Sequence, residues 1–261
     1  MSKFQQCGLR YFFSYLGGWS EPQTKALVGG SIAHEVIEHL YRLPGEERTL
    51  ERAMELLREH GPRMLKLPDY AEFADDKEMK TNVRVAIENL FKLETPSQLQ
   101  VEPDHLEMEL EVEIDGVKFF GKVDRFTADG VNRVTDYKTG NHPGRYVDDK
   151  LKQPYLYALA FKIQHDIDID EVELIFLNAE HIEKRPVDFA VAEEMGRGLV
   201  QMRGDSELSL AASAWDARPG KLCGYCAFAG VCPAVQPDAP KPGTTESDNA
   251  LISLGLTRRN K

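Results

Sequence analysis

Apolar and polar positions alternate most cleanly between residues 106 and 138. Leu106, Met108, Leu110, Val112 and Ile114 interleave with Glu107, Glu109, Glu111 and Glu113, which predicts a strand with one acidic face. The turn signal Asp115-Gly116 leads to a second run over 117–126, and Asp129-Gly130 leads to a third over 131–138. Together they predict a three-stranded antiparallel meander. On either side the period becomes helical. Ile32 to Tyr41 carries a stripe of Ala33, Val36, Ile37, Leu40 and Tyr41, with Ser31 as the expected N-cap after Gly29-Gly30. Further amphipathic helices are expected over 4–16, 50–59, 76–93, 148–163 and 187–202, with breaks at Gly61-Pro62 and Pro68-Asp69. Pro154 fits the 148–163 helix if its regular turns begin near Gln153. EVELIFLN, over 171–178, reads as a buried strand.

Two strands of the meander carry a carboxylate among apolar neighbours: Asp124 beside Val123 and Phe126, and Asp136 beside Val134 and Tyr137. A carboxylate inside a sheet needs compensation. One compensation is a divalent ion, since carboxylate oxygens suit Mg²⁺ or Mn²⁺. Lys138, two residues after Asp136, projects to the same face of its strand. The other is an edge hairpin in which Asp136 and Lys138 merely pair, and the strand pattern leaves both open. His34 falls on its helix beside Ile37 and Tyr41, which directs it inward or to the core's edge, as a satisfied core residue or as a ligand, whereas His39 falls near the opposite side and reads as surface.

The 261 residues support one core with appendages, 42% apolar and 29% charged, with no apolar run long enough to cross a bilayer and no signal-peptide pattern. A cytoplasmic protein is expected. A net charge of −11 argues against a nonspecific nucleic-acid coat. Positive charge is nonetheless concentrated between Lys118 and Lys152, through Lys122, Arg125, Arg133, Lys138, Arg145 and Lys150. Cys7 stands near the start, and Cys223, Cys226 and Cys232 stand near the end. In a reducing compartment such a set points to metal or iron–sulfur ligation, with four-thiolate zinc as the alternative. Closing a loop between Cys7 and Cys223 would remove on the order of 5 kcal/mol of unfolded-chain entropy, by analogy with a disulfide. Residues after Pro233 are rich in Pro, Gly, Ser and Thr and read as a mobile tail.

Four pieces in order, GGSIAHEVIEH, GKVDRF, VTDYKTG and KQPYLYALAF, resemble the RecB-like branch of the PD-(D/E)XK nuclease superfamily. The cysteine set is similar to that of its iron–sulfur members, the CRISPR-associated RecB-like nucleases and the AddB-type nuclease domains. The resemblance implies an α/β fold (α+β, a mixed sheet flanked by helices), with a restriction-endonuclease-like core and an iron–sulfur clasp. It places one nuclease domain over 1–235, a helical insertion at about 45–95, the clasp in 1–16 and 220–235, and a flexible tail over 236–261. It implies catalysis by Asp124, Asp136 and Lys138, and a metal, Mn²⁺ or Mg²⁺, held by His34, Asp124, Asp136 and the carbonyl of Tyr137. A 4Fe-4S cluster would sit on Cys7, Cys223, Cys226 and Cys232, with Arg125, Gln153 and Tyr157 supporting the pocket or contacting DNA. The implied activity is metal-dependent DNA exonuclease, preferring single strands or ends, in recombination, repair or CRISPR-type processing. The alternative is a vestigial DNA-end-binding subunit. No phosphate-binding loop of a helicase motor is present, so either a partner unwinds the DNA or the substrate offers a free single strand; the partners implied are a helicase, a recombination protein or a CRISPR-adaptation protein. Self-association is left open.

Overall fold

The computed structural model describes residues 2–259 and divides the chain into two compact units, residues 23–197 and residues 1–22 with 198–261. Two short helices, α1 (Ser2–Gln6) and α2 (Gly8–Tyr11), interrupted at Cys7, run into a π-helical turn at Phe12–Leu16. The continuous helix expected over 4–16 is therefore broken at the first cysteine.

The larger unit begins with α3 (Lys25–Tyr41). Its cap is Thr24, whose hydroxyl accepts from the Leu27 amide at 3.3 Å, and not Ser31. Gly29-Gly30 lies inside the helix, where Gly29 lets Met79 and Val83 approach the backbone. Helices α4 (Leu50–Met64) and α5 (Lys77–Leu93) start at Thr49 and Asp76, whose side chains accept from the Arg52 and Met79 amides. α4 runs through Gly61-Pro62 and stops only after Met64. Val28, Ile32, Val36, Leu40, Leu56, Val83, Ile87 and Leu90 are buried together between these three helices and the sheet.

The sheet has five strands in sequence order: β1 (Leu106–Ile114), β2 (Val117–Ala128), β3 (Asn132–Lys138), β4 (Glu171–Phe176) and β5 (His181–Pro186). All neighbours are antiparallel except β3 and β4, which are parallel and joined by the crossover helix α6 (Val147–His165). Asp115-Gly116 takes left-handed φ at both positions, the two-residue hairpin turn its sequence predicts. β3 is central, which removes the edge-hairpin reading of Asp136 and Lys138. β5 was not expected, because HIEKRP is polar and exposed along most of its length. α6 starts at Val147, before Gln153, and carries Pro154 inside it.

The final helices are α7 (Phe189–Ala211), longer than expected, and α8 (Thr245–Ser253). The expected mobile tail over 236–261 is a structured segment across its described part. Thr244 caps α8, and Leu251 and Leu256 are buried with Leu9, Phe13, Trp19, Phe228 and Val231. Residues 260 and 261 lie outside the described residues. Polar composition hid this segment, because two apolar anchors suffice to dock it. Among the described residues no helix is long and apolar enough to cross a membrane.

Candidate nuclease site

Three segments far apart in sequence supply the site. α3 brings His34, the β1–β2 hairpin brings Glu107, Lys122 and Asp124, and β3 brings Asp136, Tyr137 and Lys138. His34, Glu107, Lys122 and Lys138 line a cleft of about 670 Å³. The His34 ring reaches across to the sheet: Nδ1 lies 3.3 Å from Asp124 Oδ1 and Nε2 lies 2.9 Å from the Tyr137 carbonyl oxygen. Burial opposes protonation of His34, but hydrogen bonding to Asp124 overrides it and raises the imidazole above its ordinary pKa. The other Asp124 oxygen, Oδ2, accepts from the Tyr137 amide at 2.7 Å. The Tyr137 carbonyl, expected as a backbone metal ligand, lies beside the expected ligand His34.

Asp136 is 4% exposed, and Lys138 Nζ lies 2.5 Å from its Oδ2. The same oxygen is sealed from solvent and lacks an aligned hydrogen-bond donor. The ion pair survives this misalignment because charge attraction depends on distance, whereas a hydrogen bond also depends on angle. Burial, reinforced by the Asp124 carboxylate and only partly offset by Lys138, pushes Asp136 up to about 6. The site is short of positive charge at its deepest point.

Glu107 was missed as a site residue. Glu107, His34 and Asp124 offer ligand atoms within 4.8 Å of one another. Its φ of 51° is left-handed, a local departure from strand geometry near the start of β1. Burial raises its pKa, Lys122 at 2.7 Å opposes the rise, and Asp124 adds to it. Counting outward from the Asp115-Gly116 turn sets Glu107 opposite Asp124, a signal the sequence did contain.

The supporting residues are drawn inward. Arg125 is 1% exposed and forks onto Glu94, with Nη1 and Nη2 each 2.9 Å from a carboxylate oxygen. Its guanidinium also lies over the rings of Tyr41 and Tyr137. This position closes off the DNA contact allowed for Arg125. Tyr157 is likewise buried, and burial pushes its hydroxyl to about 12. Gln153, exposed on α6, donates to that hydroxyl. Tyr157 packs against β2 at Gly121, where a Cβ would lie 2.6 Å from the ring.

In the smaller unit Cys7, Cys223, Cys226 and Cys232 are free thiols lining one cavity of about 330 Å³, with Arg10 and Phe228 in its wall. Burial raises the Cys226 thiol.

A sequence profile of the PD-(D/E)XK nuclease superfamily matches residues 1–233. The chain belongs to the PD-(D/E)XK nuclease superfamily. Gene 69 protein of Mycobacterium phage D29 is 26% identical over 267 aligned positions, covering 89% of this chain and 94% of that protein. The crystal structure of a Eubacterium rectale protein named "Putative exonuclease" is similar in fold, with a TM-score of 0.54 at 14% identity. The match covers 93% of this chain and 85% of that one. Membership in this superfamily fits the mixed five-stranded sheet flanked by helices.

Proposed function

We propose that the chain is a RecB-like, metal-dependent DNA exonuclease that acts on single strands or ends, in recombination, repair or CRISPR-type processing. The observation that carries the reading is the under-compensated carboxylate pair, Asp124 and buried Asp136, converging with His34 and Lys138 from separate elements. The donor set fits a divalent ion. Asp124 and Glu107 offer hard oxygens and His34 an imidazole, with the Asp136 carboxylate electrostatically coupled to Asp124 behind them, a mixture that suits Mn²⁺ and admits Mg²⁺. Such an ion would supply Lewis-acid polarisation of a phosphodiester and of water. In this reading Lys138 orients the attacking water or neutralises charge developing on the phosphate. Tyr157 and Gln153 hold β2 and α6 in register beneath the site. Lys122 and Lys150, both exposed and lining the same cleft, supply phosphate contacts.

A 4Fe-4S cluster on Cys7, Cys223, Cys226 and Cys232 belongs to the same proposal. Four thiols lining one cavity form a donor set that suits a 4Fe-4S cluster or a four-thiolate zinc ion, and the resemblance to the iron–sulfur nucleases favours the cluster. The nuclease assignment is carried by residues 1–233, with the later segment as an appendage, and a helicase or other assembly would deliver the strand.

The deciding measurement is degradation of end-labelled single-stranded DNA by anaerobically purified protein with Mn²⁺. Wild type should release nucleotides and Asp136→Ala should not. Equal inactivity of both would favour a DNA-end-binding subunit and end the enzyme reading. Iron and acid-labile sulfide near four per chain would support the cluster, whereas one zinc in their place would overturn it.

A further inference from the structure

α3 carries a second set of ligating groups on the face that meets α4. Glu35 and His39 stand one turn apart, and His60 of α4, 4% exposed, packs against them with its ring centroid 4.0 Å from that of His39. His39 Nδ1 lies 3.0 Å from the Glu35 carbonyl oxygen. A proton held there leaves the Nε2 lone pair free, the arrangement metal-binding histidines use. Glu35 Oε1, His60 Nδ1 and Arg63 Nη2 form a tight triangle, with 2.9 Å from Oε1 to Nδ1, 2.9 Å from Oε1 to Nη2, and 3.0 Å from Nη2 to Nδ1. One protonation state cannot serve all three edges. If Arg63 donates to both neighbours, the carboxylate oxygen and the imidazole nitrogen face each other as acceptors. If His60 donates to Glu35, the Arg63 contact to His60 has no acceptor. In the first arrangement two lone pairs converge on a cationic group, and Arg63 is 63% exposed and free to swing away.

We propose that Glu35, His39 and His60 form a second metal site, for a borderline transition ion of the zinc class, with Arg63 as its resident substitute. Two imidazoles and one carboxylate, offering ligand atoms within 4.8 Å of one another, match a three-ligand zinc site with water in the fourth position and not a Mg²⁺ site. The ion would brace α3 against α4. It is separate from the nuclease reading, because its test reads metal content and not activity.

The test is equilibrium dialysis of wild type, His39→Gln and Arg63→Met against buffered Zn²⁺ with millimolar Mg²⁺, followed by metal analysis. The cysteines and the Asp124–Asp136 pocket are common to all three proteins and cancel in the differences. His39→Gln should lose one zinc equivalent, and Arg63→Met should bind that equivalent about tenfold or more tightly, its competing cation gone. Identical zinc isotherms for the three proteins would overturn the site and leave the cluster as an ion pair between helices. Should His39→Gln fail to fold, Arg63→Met decides alone, since an affinity equal to that of wild type would also overturn the site.

Discussion

Asp136→Asn should make the metal-free protein more stable while abolishing the proposed activity. The Asp136 carboxyl rises from an ordinary 3.8 to about 6, chiefly because burial disfavours its charge. Each pKa unit is worth 1.36 kcal/mol, so the ionised group costs the fold up to about 3 kcal/mol. The folded state binds this proton more tightly than the unfolded chain does. The penalty is therefore absent below about pH 4, grows between 4 and 6, and is complete above 6. Asparagine keeps the shape and removes the charge. Lys138 loses its partner but is 30% exposed and can turn to water, so part of the gain survives, about 1–3 kcal/mol. For a chain of this size that raises the thermal midpoint by about 2–10 °C at pH 8 in chelator. The assay is thermal or urea unfolding of both proteins at pH 8 and pH 4.5. Millimolar Mn²⁺ should then stabilise wild type more than the variant, since the ion supplies the missing positive charge. A variant less stable than wild type at pH 8, or a gain equal at both pH values, would refute the reasoning and mean that attraction to Lys138 outweighs the burial of Asp136.

Other outcomes follow from particular contacts. Gly121→Ala forces a Cβ to 2.6 Å from the Tyr157 ring, which should cost about 1–3 kcal/mol by chemical denaturation and lower nuclease activity through displacement of α6. Glu94→Gln leaves the buried Arg125 charge with one carboxylate partner, Glu173 at 3.5 Å, and should cost about 3 kcal/mol in the same assay. Leu251→Ala should cost about 2–5 kcal/mol although it lies in a segment of disordered-looking composition, and should expose the cysteine unit to limited proteolysis. Glu107→Gln should raise the Mn²⁺ concentration that half-activates DNA cleavage, with an unchanged apparent metal affinity counting against Glu107 as a ligand.

Local chemistry made much of the fold legible. The Asp-Gly turn fixed the β1–β2 register because two left-handed positions leave one tight hairpin geometry. The continuous apolar run of EVELIF required burial on both faces, and β4 lies between β3 and β5. The start of α3 was misplaced because Gly29-Gly30 looks like a break locally, whereas packing against Met79 and Val83 holds it helical. β5 was missed because an edge strand can be polar when its backbone is paired on one side by β4.

The candidate site divides in the same way. Residue types and spacing determined that Asp136 and Lys138 share a strand face, that His34 lies on the inward half of its helix, and that four cysteines bracket the chain. Only the tertiary structure decided that His34 spans Asp124 and Tyr137, that Arg125 turns to Glu94 and away from solvent, and that His34 comes within ligating reach of both Asp124 and Glu107. Periodicity reports which way a side chain leaves its own element. Burial, charge compensation and backbone dihedral flips depend on what the other elements bring to meet it.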